Sequence, residues 1–396
     1  MDGSQAISAD FRPRKRYTLF WPEIAWISLI PSNMKIIVVS AVNITEAGPL
    51  TVLRECLRSA ADSLPGQYTI VALVNSSMLI NEPRVQFKEI SSAKTSWFHR
   101  MYWEWFGFYR ISKKLKPTLW LSLHDITPRI VACRQAVYCH NPSPFYSISL
   151  QEAVWSPAFF LYNRFYFILY SIFIRRNKLI IVQQNWIRNA FFSRAGSLPI
   201  VVSHPSVAIF NAKAAIPSMG PRNKRFLYPA LPRVFKNIQT LCHAANTLVR
   251  MGLYNFEVVL TVSGLENSYS KFLYSSFSSL PQIKFLGIQS PSQMASLYSD
   301  CDVVVFPSKL ETWGLPITEA KAFAKPLLVA DLPYAHETVG DYALVSFFPP
   351  ESSECLASLM AQIIKGSWKP SGSHAVTPHE PYTSNWNSLW ELLTSL

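Results

Sequence analysis

Phe306-Pro307-Ser308-Lys309-Leu310-Glu311-Thr312-Trp313-Gly314-Leu315-Pro316-Ile317-Thr318-Glu319-Ala320 follows the apolar run Val303-Val304-Val305 and leads into a helix-forming stretch. The order reads as a buried strand ending at Pro307, a loop turning through Gly314, and a helix that Pro316 opens near its first turn. Such a turn aims the backbone N–H groups of 314–317 outward from a helix N-terminus, where hydrogen bonding and the helix dipole favour a phosphate. Glu311 and Glu319 lie on either side of the loop, so their carboxylates can face opposite ends of one ligand and accept from its hydroxyls. The same spacing also fits a plainer reading, with Glu319 as a helix-favouring first-turn residue and Glu311 as a solvated loop charge.

Outward from this stretch the chain alternates short apolar runs with helical segments. Residues 36–40, 68–74, 119–123, 136–139 and 179–182 read as strands, with a helix over 50–61. A second series follows, with strands at 226–229, 257–263, 285–287, 303–307 and 327–330. Its helices are expected over 238–251, 293–300 and 318–324, and a last helix over 386–396. Runs of this kind are strands buried on both faces of a parallel sheet, so the fold class is α/β, with two doubly wound, Rossmann-like domains. Their carboxyl-end edges would frame a cleft. The expected division is 1–33 as an extension or leader, 34–212 as the first domain, and 213–222 as a linker rich in turn residues. Residues 223–370 form the second domain and 371–396 a closing segment.

Composition sets limits. The 396 residues are 49% hydrophobic, with only 13 glycines against 28 prolines, which argues against a glycine-rich phosphate cradle. Residues 1–212 carry 23 Lys+Arg against 11 Asp+Glu, whereas residues 213–396 carry 14 against 13. A basic first half suits nucleic acid, anionic lipid or a phosphorylated substrate. No nucleic-acid-binding signature accompanies it, which favours the membrane surface or a phosphorylated lipid over nucleic acid; a merely solvated basic face fits as well. The six cysteines are scattered without ligand spacing, which fits reduced thiols and a cytoplasmic location and gives no zinc site. Residues 1–33 hold a basic cluster and an apolar run broken by Pro22 and Glu23, too short to span a bilayer. Met34 opens what reads as the first strand, so it is the expected natural start; the competing expectation is a membrane-attaching leader. Residues 158–174 are very aromatic. They read most simply as a core helix, and alternatively as a helix lying on a bilayer with its basic flank on headgroups.

The stretch Glu311-Thr312-Trp313-Gly314-Leu315-Pro316-Ile317-Thr318-Glu319 resembles the E-x7-E motif of the retaining group 1 (family four) glycosyltransferases, which have the GT-B fold. The preceding strand from Cys301 to Ser308 and the following helix and strand agree with it, although Lys325 stands where the family usually has glycine. The resemblance covers about 226–345 and continues more weakly from Met34. It implies that Glu319 holds the donor's ribose hydroxyls and that Glu311 contacts the transferred sugar. Thr312, Gly314, Leu315 and Pro316 would surround the donor. The family's phosphate-binding pair, typically R-x4-K, falls at Leu231 and Lys236, with Arg233 displaced by two residues. The glycine-rich loop after the first strand is reduced to Gly48. A histidine near the cleft is expected from His140 as a catalytic candidate or from His124, with Gly48, on the acceptor side. The resemblance implies no metal and no cofactor beyond the nucleotide-sugar co-substrate, so Asp300-Cys301-Asp302 is expected to be a strand entry.

The function so implied is transfer of a sugar, with retention, from a nucleotide-diphosphate sugar to a glycan acceptor. That acceptor is expected to be a lipid-linked oligosaccharide at the inner face of the cytoplasmic membrane, in surface-polysaccharide synthesis of the lipopolysaccharide or O-antigen type. A catalytically silent scaffold in such an assembly and a nucleotide-sugar epimerase are the alternatives.

Overall fold

The computed structural model describes residues 34–45, 47–64, 66–205 and 223–396. The expectations for 1–33 and for the linker at 213–222 fall outside them. The first domain carries strands β1 (Lys35–Ala41), β2 (Tyr68–Val74), β3 (Gln86–Glu89), β4 (Leu119–Ser122), β5 (Arg134–Cys139), β6 (Leu179–Val182) and β7 (Ile200–Ser203). Its helices are α1 (Ala47–Ser63), α2 (Trp97–Tyr102), α3 (Phe108–Leu115), α4 (Leu150–Trp155), α5 (Pro157–Ser171) and α6 (Asn185–Ala195). The second carries β8 (Lys224–Tyr228), β9 (Phe256–Leu260), β10 (Ile283–Phe285), β11 (Val303–Phe306), β12 (Leu327–Ala330) and β13 (Val345–Phe348). Helices α7 (Ile238–Arg250), α8 (Ser268–Phe277), α9 (Pro291–Asp300), α10 (Leu315–Ala322), α11 (Pro333–Val339) and α12 (Ser353–Ile364) flank them. The chain closes with β14 (Tyr382–Thr383) and α13 (Trp386–Ser395).

The β-branched runs of β6 and β11 are buried along their lengths, and β1 from Ile37 onward, because each strand lies inside a sheet covered by helices. The first sheet has the order β14-β7-β6-β5-β4-β1-β2-β3 and the second β10-β9-β8-β11-β12-β13. Every pairing is parallel, with Val38 opposite Val71 and Ile37 opposite Leu119 at the centre of the first sheet. Both sheets reverse their order beside the first strand of each domain, so the cleft lies at the switch points. The closing segment returns to the first domain. β14 pairs with β7, and Trp390 on α13 is buried against α1, donating its indole N–H to the Cys56 carbonyl at 3.1 Å.

The two domains touch through specific side chains. Trp155 stacks on Phe272 at 4.3 Å between ring centroids, and Phe159 approaches Phe235 at 5.4 Å. Gln184 Nε2 donates to Thr338 Oγ1 at 2.8 Å, and the Asn185 amide donates to Glu337 Oε2 at 3.0 Å. His204 Nε2 lies 3.0 Å from Glu337 Oε1.

The core-helix reading of 158–174 is corrected. In α5 only Tyr166 and Tyr170 are buried, while Phe165 and Ile168 are each 57% exposed. The helix is apolar nearly all round, so its sequence names no inward face. Its polar residues choose one instead: Asn163 Nδ2 donates to the Tyr146 carbonyl at 2.7 Å and Tyr162 accepts from Asn141 Nδ2 at 2.7 Å. By length and composition the segment Pro157–Arg176 could cross a bilayer, and most of it is unburied. The strand expected at 285–287 lies two residues earlier, at Ile283–Phe285, and Gly287 takes a positive φ of 75° just beyond it.

Candidate functional site

The 306–319 loop is held rigidly. Gly314 takes φ 85°, a conformation glycine adopts without penalty, and a Cβ there would stand 3.3 Å from Ile317 Cδ1. Trp313 is buried, with its indole N–H on Thr318 Oγ1 at 3.0 Å and its carbonyl accepting from the Thr338 hydroxyl. The Ile317 amide turns back to the Gly314 carbonyl at 2.9 Å, and Pro316 has no N–H. The expected row of free amides at 314–317 is therefore shorter: among the described residues Gly314 and Leu315 keep N–H groups without an acceptor. Thr312 lies half-buried just before them. Glu319 sits one helical turn below. The Tyr298 hydroxyl donates to its Oε2 at 2.6 Å, and burial pushes its pKa above the ordinary carboxylate value despite that bond.

The loop after β8 brings the cation. Asn237, at φ 55°, donates from Nδ2 to the Pro307 carbonyl at 3.1 Å and the Pro350 carbonyl at 2.8 Å, pinning this loop to the end of β11. Lys236 is thereby placed with Nζ 2.5 Å from Glu311 Oε1, both side chains largely buried. Glu311 is thus the counter-ion of Lys236, which excludes the reading of it as a solvated loop charge. Arg233 is exposed and has no side-chain partner among the described residues. Leu231, at the expected arginine position, is 47% exposed.

The first domain faces this loop with the ends of β1, β4 and β5, which are neighbours in the sheet. Gly48 abuts the 306–319 loop, and a Cβ on it would stand 3.3 Å from Leu315 Cδ1. Asn43 Oδ1, His124 Nε2 and His140 Nε2 are buried polar atoms without a partner, one after each of the three strands. Buried polar atoms rarely stay unsatisfied, so three at one sheet end mark where a ligand or water is accommodated. The His140 ring packs tilted against Tyr138, 4.6 Å between ring centroids, and its backbone N–H donates to Asp125 Oδ1 at 2.6 Å. Burial lowers its pKa, only partly opposed by the Asp125 charge, so its imidazole is neutral near pH 7.

His124 is placed by two residues that the fold brings to it from the region between β3 and β4. Glu104 is wholly buried and binds Arg100 Nε at 2.6 Å and His124 Nδ1 at 3.1 Å. Glu104 lies in a π-helical turn, Trp103–Gly107, between α2 and α3, where a Cβ on Gly107 would collide with the Trp103 ring. π-turns are rare and recur at functional positions. Burial raises the Glu104 pKa, but His124 and Arg100 outweigh it and hold the carboxyl below its usual range.

Two other expectations resolve differently. Asp300 and Asp302 lie at the opposite end of the second sheet from the cleft. Asp302 Oδ2 accepts from the Arg225 amide at 2.8 Å, and Asp300 pairs with the Arg225 guanidinium. The positive φ of that region falls on Ala324, at 51°, not on Lys325. Lys325 caps the end of α9, donating to the carbonyls of Ser299 and Cys301 at 2.8 Å each. Among the described residues no group of three or more His, Cys, Asp or Glu is placed to hold a metal.

Residues 214–373 match the family described as glycosyl transferases group 1. Among solved structures, sucrose-phosphate synthase from Thermosynechococcus elongatus aligns with a TM-score of 0.62 and 14% identity, over 84% of this chain and 90% of that one. Anabaena HepE, solved with UDP-glucose, gives 0.61 and 16% over 92% and 100% of the two chains. The lipopolysaccharide outer core galactosyltransferase WaaB gives 0.60 and 13% over 85% and 92%. At these identities the structures speak for the fold alone. No curated protein matches the chain. Two parallel sheets facing across a cleft give the chain the GT-B fold, and its residues 214–373 carry a glycosyl transferases group 1 domain on one side of that cleft.

Proposed function

We propose that the chain transfers a sugar from a nucleoside-diphosphate sugar to a lipid-linked glycan, with retention, at the inner face of the cytoplasmic membrane. The observation that carries this reading is the Lys236–Glu311 contact at 2.5 Å, which joins the cation of one loop to the carboxylate of the other. Glu319 accepts from the ribose hydroxyls, and Glu311 contacts the transferred sugar once the donor diphosphate has drawn Lys236 away. Lys236 and the amides of Gly314 and Leu315 stabilise the charge that develops on the β-phosphate. Arg233, exposed and two residues off the expected place, adds positive charge nearby without a forked contact. Thr312 and Pro316 shape the donor pocket. His140, neutral by burial, offers an unpartnered Nε2 to a sugar hydroxyl, and Gly48 and His124 stand on the acceptor side. No metal or cofactor is assigned.

HepE, whose fold is similar, was solved with UDP-glucose, which makes UDP-sugars the first donors to try. The similarity to WaaB supports a surface-polysaccharide acceptor. The unburied, apolar α5 with exposed Arg164, Arg175 and Arg176 supports peripheral attachment to anionic membrane. The silent-scaffold reading has one observation in its favour, Leu231 in place of the expected arginine. Thermal-shift screening of nucleotide sugars, followed by turnover of the hits with lipid-linked acceptors, separates the two. Saturable donor binding with release of nucleoside diphosphate supports transfer, whereas no stabilisation by any donor supports the scaffold.

A further inference from the structure

The Gly314 amide shares a peptide unit with the Trp313 carbonyl. A trans peptide is planar and its C=O and N–H point opposite ways, so whatever holds the one aims the other. The Trp313 carbonyl accepts from the Thr338 hydroxyl on α11. Thr338 Oγ1 itself accepts from Gln184 Nε2, at the end of β6 in the first domain, at 2.8 Å.

This relay runs in one direction only. The Trp186 indole N–H, which can only donate, reaches Gln184 Oε1 at 2.9 Å and so identifies the amide oxygen. Gln184 Nε2 then divides its two protons between the Tyr334 carbonyl, at 3.1 Å, and Thr338 Oγ1. A hydroxyl has a single proton, and with Gln184 donating to its oxygen Thr338 gives that proton to the Trp313 carbonyl. Gln184 is fully buried and Thr338 is 3% exposed, so the relay lies away from bulk water. At its far end the Gly314 N–H has no acceptor among the described residues.

A buried carbonyl needs a partner, and Thr338 alone would satisfy Trp313. That plain role does not account for Gln184, which ties the hydroxyl to the other domain beside the Asn185–Glu337 contact. Consecutive hydrogen bonds polarise one another, so the Gln184 bond strengthens the grip of Thr338 on the peptide. The first domain thereby governs, through two side chains, a backbone donor in the 306–319 loop of the second.

We propose that Thr338 and Gln184 are positioning residues for the donor diphosphate. They fix the 313–314 peptide plane so that the Gly314 N–H is aimed at the β-phosphate, and they do so fully only while the domains are closed. The identity of the ligand rests on the transfer reading above, which the proposal extends to two buried residues acting through a peptide bond.

The test is titration calorimetry on the full chain. Uridine, adenosine, guanosine and thymidine diphosphates are compared first, and the tightest is then set against its own monophosphate, which lacks the β-phosphate. Thr338→Val removes the hydroxyl proton and should weaken the diphosphate about tenfold while leaving the monophosphate within about twofold. Thr338→Ser keeps the proton and should bind the diphosphate within about twofold of the native chain. Gln184→Met should weaken the diphosphate about threefold and add nothing in the Thr338→Val background, because both act on one bond. A hydroxyl that merely supports the fold would weaken both nucleotides alike or neither, and its effect would add to that of Gln184→Met; either result overturns the proposal. Should Thr338→Val fail to fold, Gln184→Met decides by itself, since selective loss of the diphosphate supports the relay and equal or absent loss overturns it. A diphosphate-selective loss in a chain that turns over no nucleotide sugar would contradict the transfer reading and leave the relay standing. Turnover without a selective loss would do the reverse, and a native chain that binds no diphosphate overturns both.

Discussion

Glu319 and Glu311 are identical side chains eight residues apart, and their surroundings give them different chemistry. Glu319 is raised in pKa by burial, with the Tyr298 hydroxyl opposing. Its folded state therefore binds a proton more tightly than the unfolded chain does. Stability contributed by this group rises as pH falls through the folded value towards the unfolded one, and the charged form is a cost above it. Two outcomes follow. Glu319→Gln should raise Tm at neutral pH, read by differential scanning calorimetry. Donor affinity of the native chain should fall as pH drops through a range above that of an ordinary carboxylate, and the Gln variant should show no such fall. At Leu231 the half-exposed side chain leaves room for a cation, so Leu231→Arg should tighten nucleoside diphosphate binding by about tenfold in titration. Glu104→Ala would strand Arg100 in a buried site, at a cost of about 3–5 kcal/mol in urea unfolding. The Glu pair stood out by its spacing about the end of β11, and Lys236 only through the resemblance to the R-x4-K pair. The Arg100–Glu104–His124 cluster did not: Arg100 and Glu104 stand at the i,i+4 spacing of any helical ion pair, and only packing between a π-turn and the end of β4 brings His124 to them.

Elements were readable where pattern and punctuation agreed. β1, α1 and β2 follow from an apolar run, a proline-led helix and a second run, and β11 with α10 follow from Val303 to Phe306 and Gly314-Leu315-Pro316. The region of α2 and α3 escaped notice, since Trp97 to Phe108 mixes aromatic and charged residues without a clean period. β3, at the sheet edge, alternates weakly and is only partly buried, so it carries no strong apolar signal. α5 misled for the opposite reason, being apolar on every side. α13 was visible as a helix, but only the structure shows Trp390 bonded to the Cys56 carbonyl inside the first domain. Trp390→Ala should therefore destabilise the first domain by about 3–5 kcal/mol, measured by denaturant unfolding.

At the scale of the whole molecule, the proposed transfer requires the two domains to close over donor and acceptor. Glu337 is the principal bridge, accepting from the Asn185 amide and lying 3.0 Å from His204 Nε2. Its removal leaves a buried backbone donor unpaired, so Glu337→Ala should favour an open form. Small-angle scattering should show a larger radius of gyration for the free variant, and added donor should restore the native value. The central claim, however, is that the Lys236, Glu311 and Glu319 cleft transfers sugar. Its most direct test is steady-state turnover of the matched nucleotide sugar by the native chain and by Lys236→Ala and Glu319→Ala, with Tm recorded alongside. The account predicts native release of nucleoside diphosphate coupled to acceptor glycosylation, and a loss of about 100-fold or more in kcat/KM in each variant at near-native Tm. Full activity in both variants would contradict it.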